Sequence, residues 1–176
     1  IIDRLVLSTL QLLSMVYRSG LSLKNRSYTP NKIVQLPCAV ISVGNIMAGG
    51  TGKTPVVEYL SQFLHNNGQK VCILTRGYKS KLDQTSQIGI VSDDKRVLLG
   101  SDIAGDEAFL LATNLPGTPV IVGRDRTVTG SIACTDFACD VIILDDGFQY
   151  RKLYRQIDIV VIDASNPFGN GHLIPR

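Results

Sequence analysis

The chain has 176 residues, a formal net charge of +3, 44% hydrophobic residues and 19% charged residues. That length is enough for one domain with its own core, and so large an apolar fraction excludes intrinsic disorder. Its 16 glycines and 7 prolines follow no period, which excludes collagen-like and low-complexity chains. The small positive charge does not indicate a nucleic-acid partner, and we expect none.

Residues 1–19 carry apolar side chains near helical spacing, which predicts an N-terminal amphipathic helix. The stretch from Leu5 to Tyr17 is too short to cross a bilayer, since a spanning helix needs about 20 apolar residues. A polar, serine-rich loop is expected to follow and to end at Pro30. Residues 1–36 contain five basic residues and one acidic residue, a net charge of +4. Two interpretations stay open: a helix that lies in an anionic membrane interface, or a terminal helix that packs on the core of its own domain.

From residue 37 onward, short apolar runs alternate with glycine turns. The run 39–43 predicts a buried strand, and residues 55–64 predict a helix because their apolar positions recur at three and four. Between them lies GNIMAGGTGKT, residues 44–54. A strand, a glycine-rich loop and a helix that begins at Gly-Lys-Thr together predict a phosphate-binding loop.

Phosphate chemistry accounts for the residue types in this loop. Glycines let backbone N–H groups turn toward phosphate oxygens, Lys53 would reach the β- and γ-phosphates, and Thr54 would help to hold Mg²⁺. The strict motif has glycine where this chain has Met47. The predicted nucleotide-binding residues are Met47, Ala48, Gly49, Gly50, Thr51, Gly52, Lys53 and Thr54.

An acidic pair supports the nucleotide site. The apolar run 141–144 ends in Asp145 and Asp146, followed by Gly147. In phosphate-loop enzymes an Asp at the end of such a strand belongs to the Mg²⁺ shell. Standing alone, the pattern would be a strand followed by an ordinary turn. Beside the phosphate loop we interpret it as the second element of the site.

Alternating strands and helices fill the rest of the chain. Further strands are predicted at 71–74, 119–122 and 158–163, and helices at 104–115 and 126–137. This pattern predicts a P-loop NTPase-like α/β fold, with a mostly parallel sheet and helices on both faces. Ligands bind such sheets at the carboxyl ends of the strands. The polar segment 79–103 is expected to hold a small hairpin and to form a mobile flap.

The four cysteines form no Cys-x-x-Cys pair and have no histidine at zinc-ligand spacing. They are Cys38, Cys72, Cys134 and Cys139. We expect them to be reduced, mostly buried small hydrophobes rather than a disulfide framework.

Six short motifs occur in a characteristic order along the chain. They are Val43-Gly44-Asn45, AGGTGKTPVV at 48–57, Thr75-Arg76-Gly77-Tyr78, Gly105-Asp106-Glu107, DDGFQYRKL at 145–153 and Phe168-Gly169-Asn170-Gly171. Together they resemble the tetraacyldisaccharide 4'-kinases, the lipid A 4'-kinase family of Gram-negative bacteria. The resemblance is strong from about residue 37 onward and loose before it.

The resemblance implies transfer of the ATP γ-phosphate, with Mg²⁺, to the 4'-hydroxyl of a tetraacylated glucosamine disaccharide 1-phosphate. It also implies peripheral attachment to the cytoplasmic face of the inner membrane, and so favours the membrane interpretation of the first helix. We therefore expect residues 1–36 to be a membrane-association helix with a basic linker and residues 37–176 to be the nucleotide-binding domain. The family continues into a C-terminal domain that is absent here and that catalysis is expected to need.

The resemblance also implies roles for individual residues. The implied catalytic residues are Asp106 as the base, with Lys53 and Asp146, the implied metal ligands are Thr54 and Asp145, and weaker substrate candidates are Arg76, Tyr78 and Arg126. Without the resemblance, Asp106 would be a helix cap and the substrate candidates solvated loop residues. Ala108 stands where the family usually has Pro, and Tyr150 stands where it usually has His.

Two other functions stay open. The chain could be an ATP-binding fragment without catalysis, or a partner-regulated P-loop ATPase. The regulatory class has lysine at the position that Ala48 occupies, which counts against it.

Overall fold

The computed structural model describes residues 2–26, 33–47 and 52–167. Residues 34–162 form one compact unit, and the first helix belongs to a second unit. The centre of the predicted phosphate loop, residues 48–51, and the last family motif, from residue 168, lie outside the described residues.

Helix α1 spans Ile2–Arg26 and confirms the predicted N-terminal helix. The helix continues past residue 19, so the prediction of a loop is wrong for residues 20–26. Two features account for this: leucines at 21 and 23 prolong the apolar pattern, and Gly20 costs a helix only about 1 kcal/mol.

Large apolar side chains remain exposed along α1. Leu12, Met15, Val16 and Leu23 are each between 63% and 68% exposed. Within the described ranges, no helix combines the length and the apolar character that crossing a bilayer requires.

The compact unit is built on one six-stranded sheet. Its strands are β1 (Ala39–Asn45), β2 (Val71–Thr75), β3 (Gly89–Ser92), β4 (Val120–Val122), β5 (Val141–Asp145) and β6 (Ile157–Val161). They lie in the order β3-β4-β2-β5-β1-β6, and every neighbouring pair is parallel except β3 with β4. The predicted mostly parallel α/β sheet is confirmed.

Helices cover both faces of the sheet. They are α2 (Lys53–Asn66), α3 (Lys81–Thr85), α4 (Ser101–Ala104), α5 (Asp106–Asn114) and α6 (Arg126–Asp136). Val57 of α2 and Leu111 of α5 pack with Ile143 on one face, whereas Ala133 of α6 packs with Ile142 on the other. Neighbouring residues of β5 thus serve opposite core layers, as strand geometry requires.

Residues 79–103 are built into the sheet, so the expected flap is wrong. They hold α3, the edge strand β3 and α4, and Val91 and Leu82 of this segment are buried in the core. The expected hairpin is present, since Ser92 and Val97 form an antiparallel bridge. β3 has only four residues and lies between polar segments, so the sequence predicted a hairpin here without marking β3 as a strand of the main sheet.

Glycines shape the edge where the carboxyl ends of the strands meet. Gly105 has a φ of 89°, which ends α4 and makes α5 begin at Asp106 rather than at residue 104 as predicted. A Cβ at Gly44 would stand 2.9 Å from the backbone nitrogen of Phe148, so only glycine lets the loop after β5 approach β1 this closely.

Candidate functional site

The pairing of β1 with β5 brings the two predicted motifs to one place. Val43 lies opposite Asp145, so the phosphate loop and the acidic pair leave the sheet side by side. Leu74 of β2 pairs with Leu144, which places the turn after Thr75 next to them. These carboxyl ends are where ligands bind in parallel sheets.

Asn45, the last residue of β1, connects three parts of the site. Its side-chain amide donates to the carbonyl of Met47 at 2.6 Å, and its Oδ1 accepts from Lys53 Nζ at 3.2 Å. Its backbone carbonyl accepts from Gln149 Nε2 at 2.8 Å. The start of the phosphate loop, the first residue of α2 and the loop after β5 are therefore tied to one residue.

The N-terminus of α2 is suited to an anion. Gly52, with a φ of 76°, precedes Lys53 without a side-chain cap, and the first turn contains no acidic residue. Among the described residues no side chain caps these N–H groups, and together with the helix dipole they favour a phosphate there. Thr54 lies half-buried in this first turn.

Lys53 is held between two oxygen-bearing side chains. Besides its bond to Asn45, its Nζ lies 3.5 Å from Oδ1 of Asp146. The Lys53 side chain is 19% exposed and that of Asp146 is 57% exposed. The ammonium group is thus ordered at the head of α2 and next to the acidic pair.

The two aspartates of the pair differ in environment. Asp145 is 4% exposed. Burial, followed by the charge of Glu107, raises the pKa of Asp145 to about 6. A hydrogen bond with Thr75 and the charge of Lys53 act in the opposite direction but are outweighed. Asp146 takes a φ of 52°, the left-handed conformation that Asp tolerates better than most residues, and is exposed.

These oxygens fit a hard divalent cation. A buried carboxylate beside two further acidic residues is destabilised in its charged form, and a cation would relieve that repulsion. The hydroxyl of Thr54 and the carboxylates of Asp145 and Asp146 are the ligand types that Mg²⁺ takes.

Asp106 and Glu107 begin α5 at the same edge of the sheet. Both are exposed, and the carboxylate of Glu107 is close enough to raise the pKa of Asp145. A Cβ at Gly77 would stand 3.1 Å from the carbonyl of Ala104, so the turn after β2 lies directly against the segment that leads into α5.

Arg76 is engaged by a buried carboxylate. Its Nε donates to Oδ1 of Asp83 at 3.2 Å, and Nε of Arg124 donates to the same oxygen at 2.7 Å. Burial alone would raise the pKa of Asp83, but the bonds from Arg124 and Arg76 outweigh it and lower the pKa. Arg76 keeps half of its side chain exposed, and Tyr78 is 65% exposed.

Arg126 is the most buried of the three substrate candidates, at 6% exposure. Its guanidinium lies 5.3 Å from the ring centre of Tyr150, and its Nε is buried without a partner in the described part of the chain. Burial lowers the pKa of Arg126, whereas the charges of Asp145 and Asp146 oppose this shift. The Nη1 of Arg126 donates to the carbonyl of Arg124 at 3.3 Å, so the guanidinium is partly satisfied, and it lies close enough to the acidic pair for their charges to act on it.

Tyr150, which replaces the family's usual His, has a structural partner. Its hydroxyl donates to Oδ1 of Asp125 at 2.7 Å, and the same oxygen caps α6 by accepting from the backbone of Thr127. Burial, with this bond, raises the pKa of Tyr150 to about 12. The ring therefore supports Arg126 and the start of α6, and it stays protonated at neutral pH.

Arg155 holds the loop that carries the acidic pair. Its Nη1 donates to the carbonyls of Gly147, Phe148 and Tyr150 at 3.1, 3.2 and 2.8 Å. Its Nε lies 3.2 Å from Asp158 of β6, and its side chain is 15% exposed. One guanidinium thus satisfies three carbonyls that follow β5 directly.

The sequence model of the tetraacyldisaccharide-1-P 4'-kinase family matches residues 6–176. The chain belongs to this family. It is 46% identical over 169 residues to the tetraacyldisaccharide 4'-kinase of Syntrophus aciditrophicus, covering 95% of this chain and 45% of that protein. It is 42% identical over 176 residues to the enzyme of the same name from Anaeromyxobacter sp. (strain Fw109-5), covering 99% of this chain and 47% of that one.

A solved member of the tetraacyldisaccharide 4'-kinase family has the same fold. The structure of LpxK from Aquifex aeolicus in complex with ATP matches with a TM-score of 0.82 and 35% identity, covering 99% of this chain and 53% of that chain. These matches confirm the resemblance drawn from the six motifs. The chain spans about half the length of the kinase-family relatives that it matches.

Sequence reasoning missed several residues of this kinase-family site. Asn45, Glu107 and Gln149 lie inside the quoted motifs, but no role was predicted for them. Arg155 lies just outside the motifs and carries no local signal, because its three acceptors are backbone carbonyls.

We predict that Asp145→Asn is more stable than the parent chain at neutral pH when nucleotide and metal are absent. The folded-state pKa of about 6 lies above the usual 3.8, so the native state binds more protons between these values and loses stability as the pH rises through them. The asparagine variant lacks this loss, worth on the order of 1–3 kcal/mol. Urea unfolding of the variant and the parent at about pH 4 and about pH 7 measures the difference in their free energies of unfolding. The same difference at both pH values would contradict the raised pKa of Asp145.

We predict that Arg155→Met lowers the free energy of unfolding by about 2 kcal/mol or more, because three carbonyls lose a charged donor. The loop after β5 should loosen, so trypsin should cleave faster after Arg151 and Lys152. Lys81→Met is the matched control, since it removes an exposed pair with Asp102 and should cost under about 1 kcal/mol. Equal cleavage rates in the two variants would contradict the role of Arg155.

Proposed function

We propose that this chain carries the ATP-binding part of a tetraacyldisaccharide 4'-kinase. The enzyme would transfer the γ-phosphoryl group of ATP to the 4'-hydroxyl of a tetraacylated glucosamine disaccharide 1-phosphate. The observation that carries the proposal is the position of Lys53, which stands between Asn45 and Asp146 at the uncapped head of α2, in a chain of this family.

ATP is the proposed nucleotide for two reasons. The relative from Aquifex aeolicus, with the same fold and 35% identity, is in complex with ATP. In addition, the arrangement of Lys53 and the first turn of α2 suits the β- and γ-phosphates of a nucleoside triphosphate.

Mg²⁺ is the proposed metal, held by Thr54 and Asp145 with Asp146 beside them. The carboxylates of the buried Asp145 and of the neighbouring Asp146 would supply hard oxygen ligands, and the cation would offset the repulsion that raises the pKa of Asp145. When bound, Mg²⁺ would neutralise charge on the phosphate oxygens.

The proposed transfer is an in-line displacement. The 4'-oxygen forms a bond to the γ-phosphorus, the bond from that phosphorus to the β–γ bridging oxygen breaks, and ADP leaves with the electron pair. Asp106 accepts the hydroxyl proton and later releases it to solvent. Lys53 stabilises the phosphate charge throughout, and Arg126, on which the charges of Asp145 and Asp146 act, is a candidate to contact an anionic group of either substrate.

The other two functions have less support. A fragment that binds ATP without catalysis would need the same nucleotide site but no acceptor site. Only an activity assay distinguishes such a fragment from the kinase. A partner-regulated ATPase is disfavoured by Ala48 and by membership of a lipid-kinase family.

We also propose that α1 attaches the protein to the membrane that holds its lipid substrate, at the cytoplasmic face of the inner membrane. Four large apolar side chains of α1 are more than 60% exposed, and residues 1–36 carry a net charge of +4. An exposed apolar helix in a basic segment binds an anionic interface by burying its apolar side chains and by electrostatic attraction to the lipid headgroups. Residues 1–36 would then be the membrane segment, and residues 37–176 the nucleotide-binding domain.

We predict that Lys53→Met weakens ATP binding, whereas Asp106→Asn leaves it unchanged but lowers phosphoryl transfer by about 10²–10⁴-fold, the usual worth of a general base. Radiolabel transfer from ATP to tetraacyldisaccharide 1-phosphate, together with ATP affinity, measures both in the intact protein. Asp102→Asn is the matched control, since it changes an exposed carboxylate on α4 and should alter neither quantity.

The outcomes separate the three functions. ATP binding without any transfer would indicate the fragment. ATP hydrolysis that a protein partner stimulates and the lipid does not would indicate the regulatory class. Full transfer by Asp106→Asn would contradict its role as the base.

We predict that replacing Met15 and Val16 by Glu releases the protein from vesicles that contain anionic lipid. Two exposed apolar side chains lose their burial in the interface, so binding should fall by at least about tenfold. Val128→Glu, at a 46% exposed position on α6, is the matched control and should bind as the parent does. Unchanged sedimentation of the double variant with vesicles would rule out an interfacial α1.

A further inference from the structure

Three of the four cysteines meet at the edge of the sheet opposite the nucleotide site. Cys38 lies just before β1, Cys134 lies in α6 and Cys139 lies two residues before β5. Their Sγ atoms all lie within 4.8 Å of one another. The three come from separate segments, and all are free thiols.

The spacing of the sulfurs is closer to that of a metal site than to that of a disulfide. The Sγ atoms of Cys38 and Cys134 are 3.2 Å apart. Thiolates around a tetrahedral Zn²⁺, with Zn–S bonds of about 2.3 Å, stand roughly 3.8 Å apart. A disulfide needs about 2.05 Å. The pair must therefore open by about 0.6 Å to share a metal ion, but close by about 1.1 Å to form a bond.

The third sulfur favours the same interpretation. A bond between Cys38 and Cys134 would leave Cys139 unused, whereas a metal ion uses all three sulfurs. Burial raises the pKa of Cys38 and of Cys139, so neither behaves as a reactive thiolate nucleophile.

An ion can reach the cluster. Cys38 and Cys134 are only half-buried, and Cys139 lines a cavity of about 600 Å³ together with Phe137 and Asp136. The partly open side leaves room for water as a further ligand. The fourth cysteine, Cys72, is fully buried in the same core layer but is not one of the three clustered sulfurs.

We propose that Cys38, Cys134 and Cys139 form a binding site for a thiophilic metal ion such as Zn²⁺. Soft sulfur ligands select such ions over Mg²⁺, so this site and the nucleotide site would take different metals. Each thiol that binds gives its proton to solvent and its electron pair to the metal, and no oxidant is required. The bound ion would join the starts of β1 and β5 to α6.

Metal titration of the intact, reduced protein tests the site. Co²⁺ should give the charge-transfer absorption of thiolate ligands, and Zn²⁺ should displace it. Cys38→Ala, Cys134→Ala and Cys139→Ala should each weaken Zn²⁺ binding by at least about 100-fold, since loss of a direct ligand costs more than loss of an outer partner. Cys72→Ala is the matched control and should retain the spectrum; if it abolishes the spectrum equally, the assignment to these three residues is wrong.

A second measurement needs no variant. Because each bound thiol gives its proton to solvent, Zn²⁺ uptake by the reduced parent protein should release protons, and calorimetric titration in two buffers of different ionisation enthalpy counts them. Zn²⁺ uptake without proton release would overturn the proposal, and so would no uptake of Zn²⁺. So would a Cys38–Cys134 disulfide found in place of metal uptake.

Discussion

The parallel ladder between β1 and β5 is the constraint on which the rest of the proposed nucleotide site depends. Because Val43 pairs with Asp145, two motifs that are about 90 residues apart in the chain leave the sheet at neighbouring points. A shift of one residue in this register would turn the side chain of Asp145 to the other face of the sheet. Gly44 protects the register, since any larger residue there would push against Phe148 in the loop after β5. The backbone hydrogen bonds of two central strands therefore set the geometry of the proposed phosphate and metal ligands together.

Around this ladder the chain buries charge in a way that a purely structural core would avoid. Asp145, Asp83 and Arg126 are each less than 8% exposed. Asp83 is neutralised by two arginines, and Arg155 is matched by carbonyls and Asp158. Asp145 and Arg126 are not fully compensated, because burial and acidic neighbours raise the pKa of Asp145 and because the Nε of Arg126 has no partner among the described residues. Uncompensated buried charge costs stability, and its concentration at one edge of the sheet is typical of a site that a charged ligand completes.

Local patterns were sufficient to predict five of the strands, the helix after the phosphate loop and the acidic pair. Each of these has a signal within a dozen residues: an apolar run, a glycine turn or a Gly-Lys-Thr start. The failures came where the structure depends on distant partners. The place of β3 at the edge of the main sheet depends on its pairing with β4, although a hairpin was predicted in its segment, and Arg155 is recognisable only through carbonyls that any sequence would provide. The cysteine cluster joins residues that are 96 positions apart, so no spacing rule could find it.

The bonds that hold Lys53 have a consequence for how tightly a nucleotide binds. A free lysine side chain loses roughly 1.5–2 kcal/mol of rotamer entropy when it is fixed. Here Asn45 and Asp146 already restrict the side chain, and it is largely withdrawn from water before any phosphate arrives. The Lys53 side chain therefore loses this entropy when the chain folds, and not when a nucleotide binds. In the proposed site, an incoming phosphate would only have to compete with the exposed carboxylate of Asp146 for an ammonium group that is already in place. Asn45 and Asp146 would then contribute to affinity through preorganisation as well as through charge.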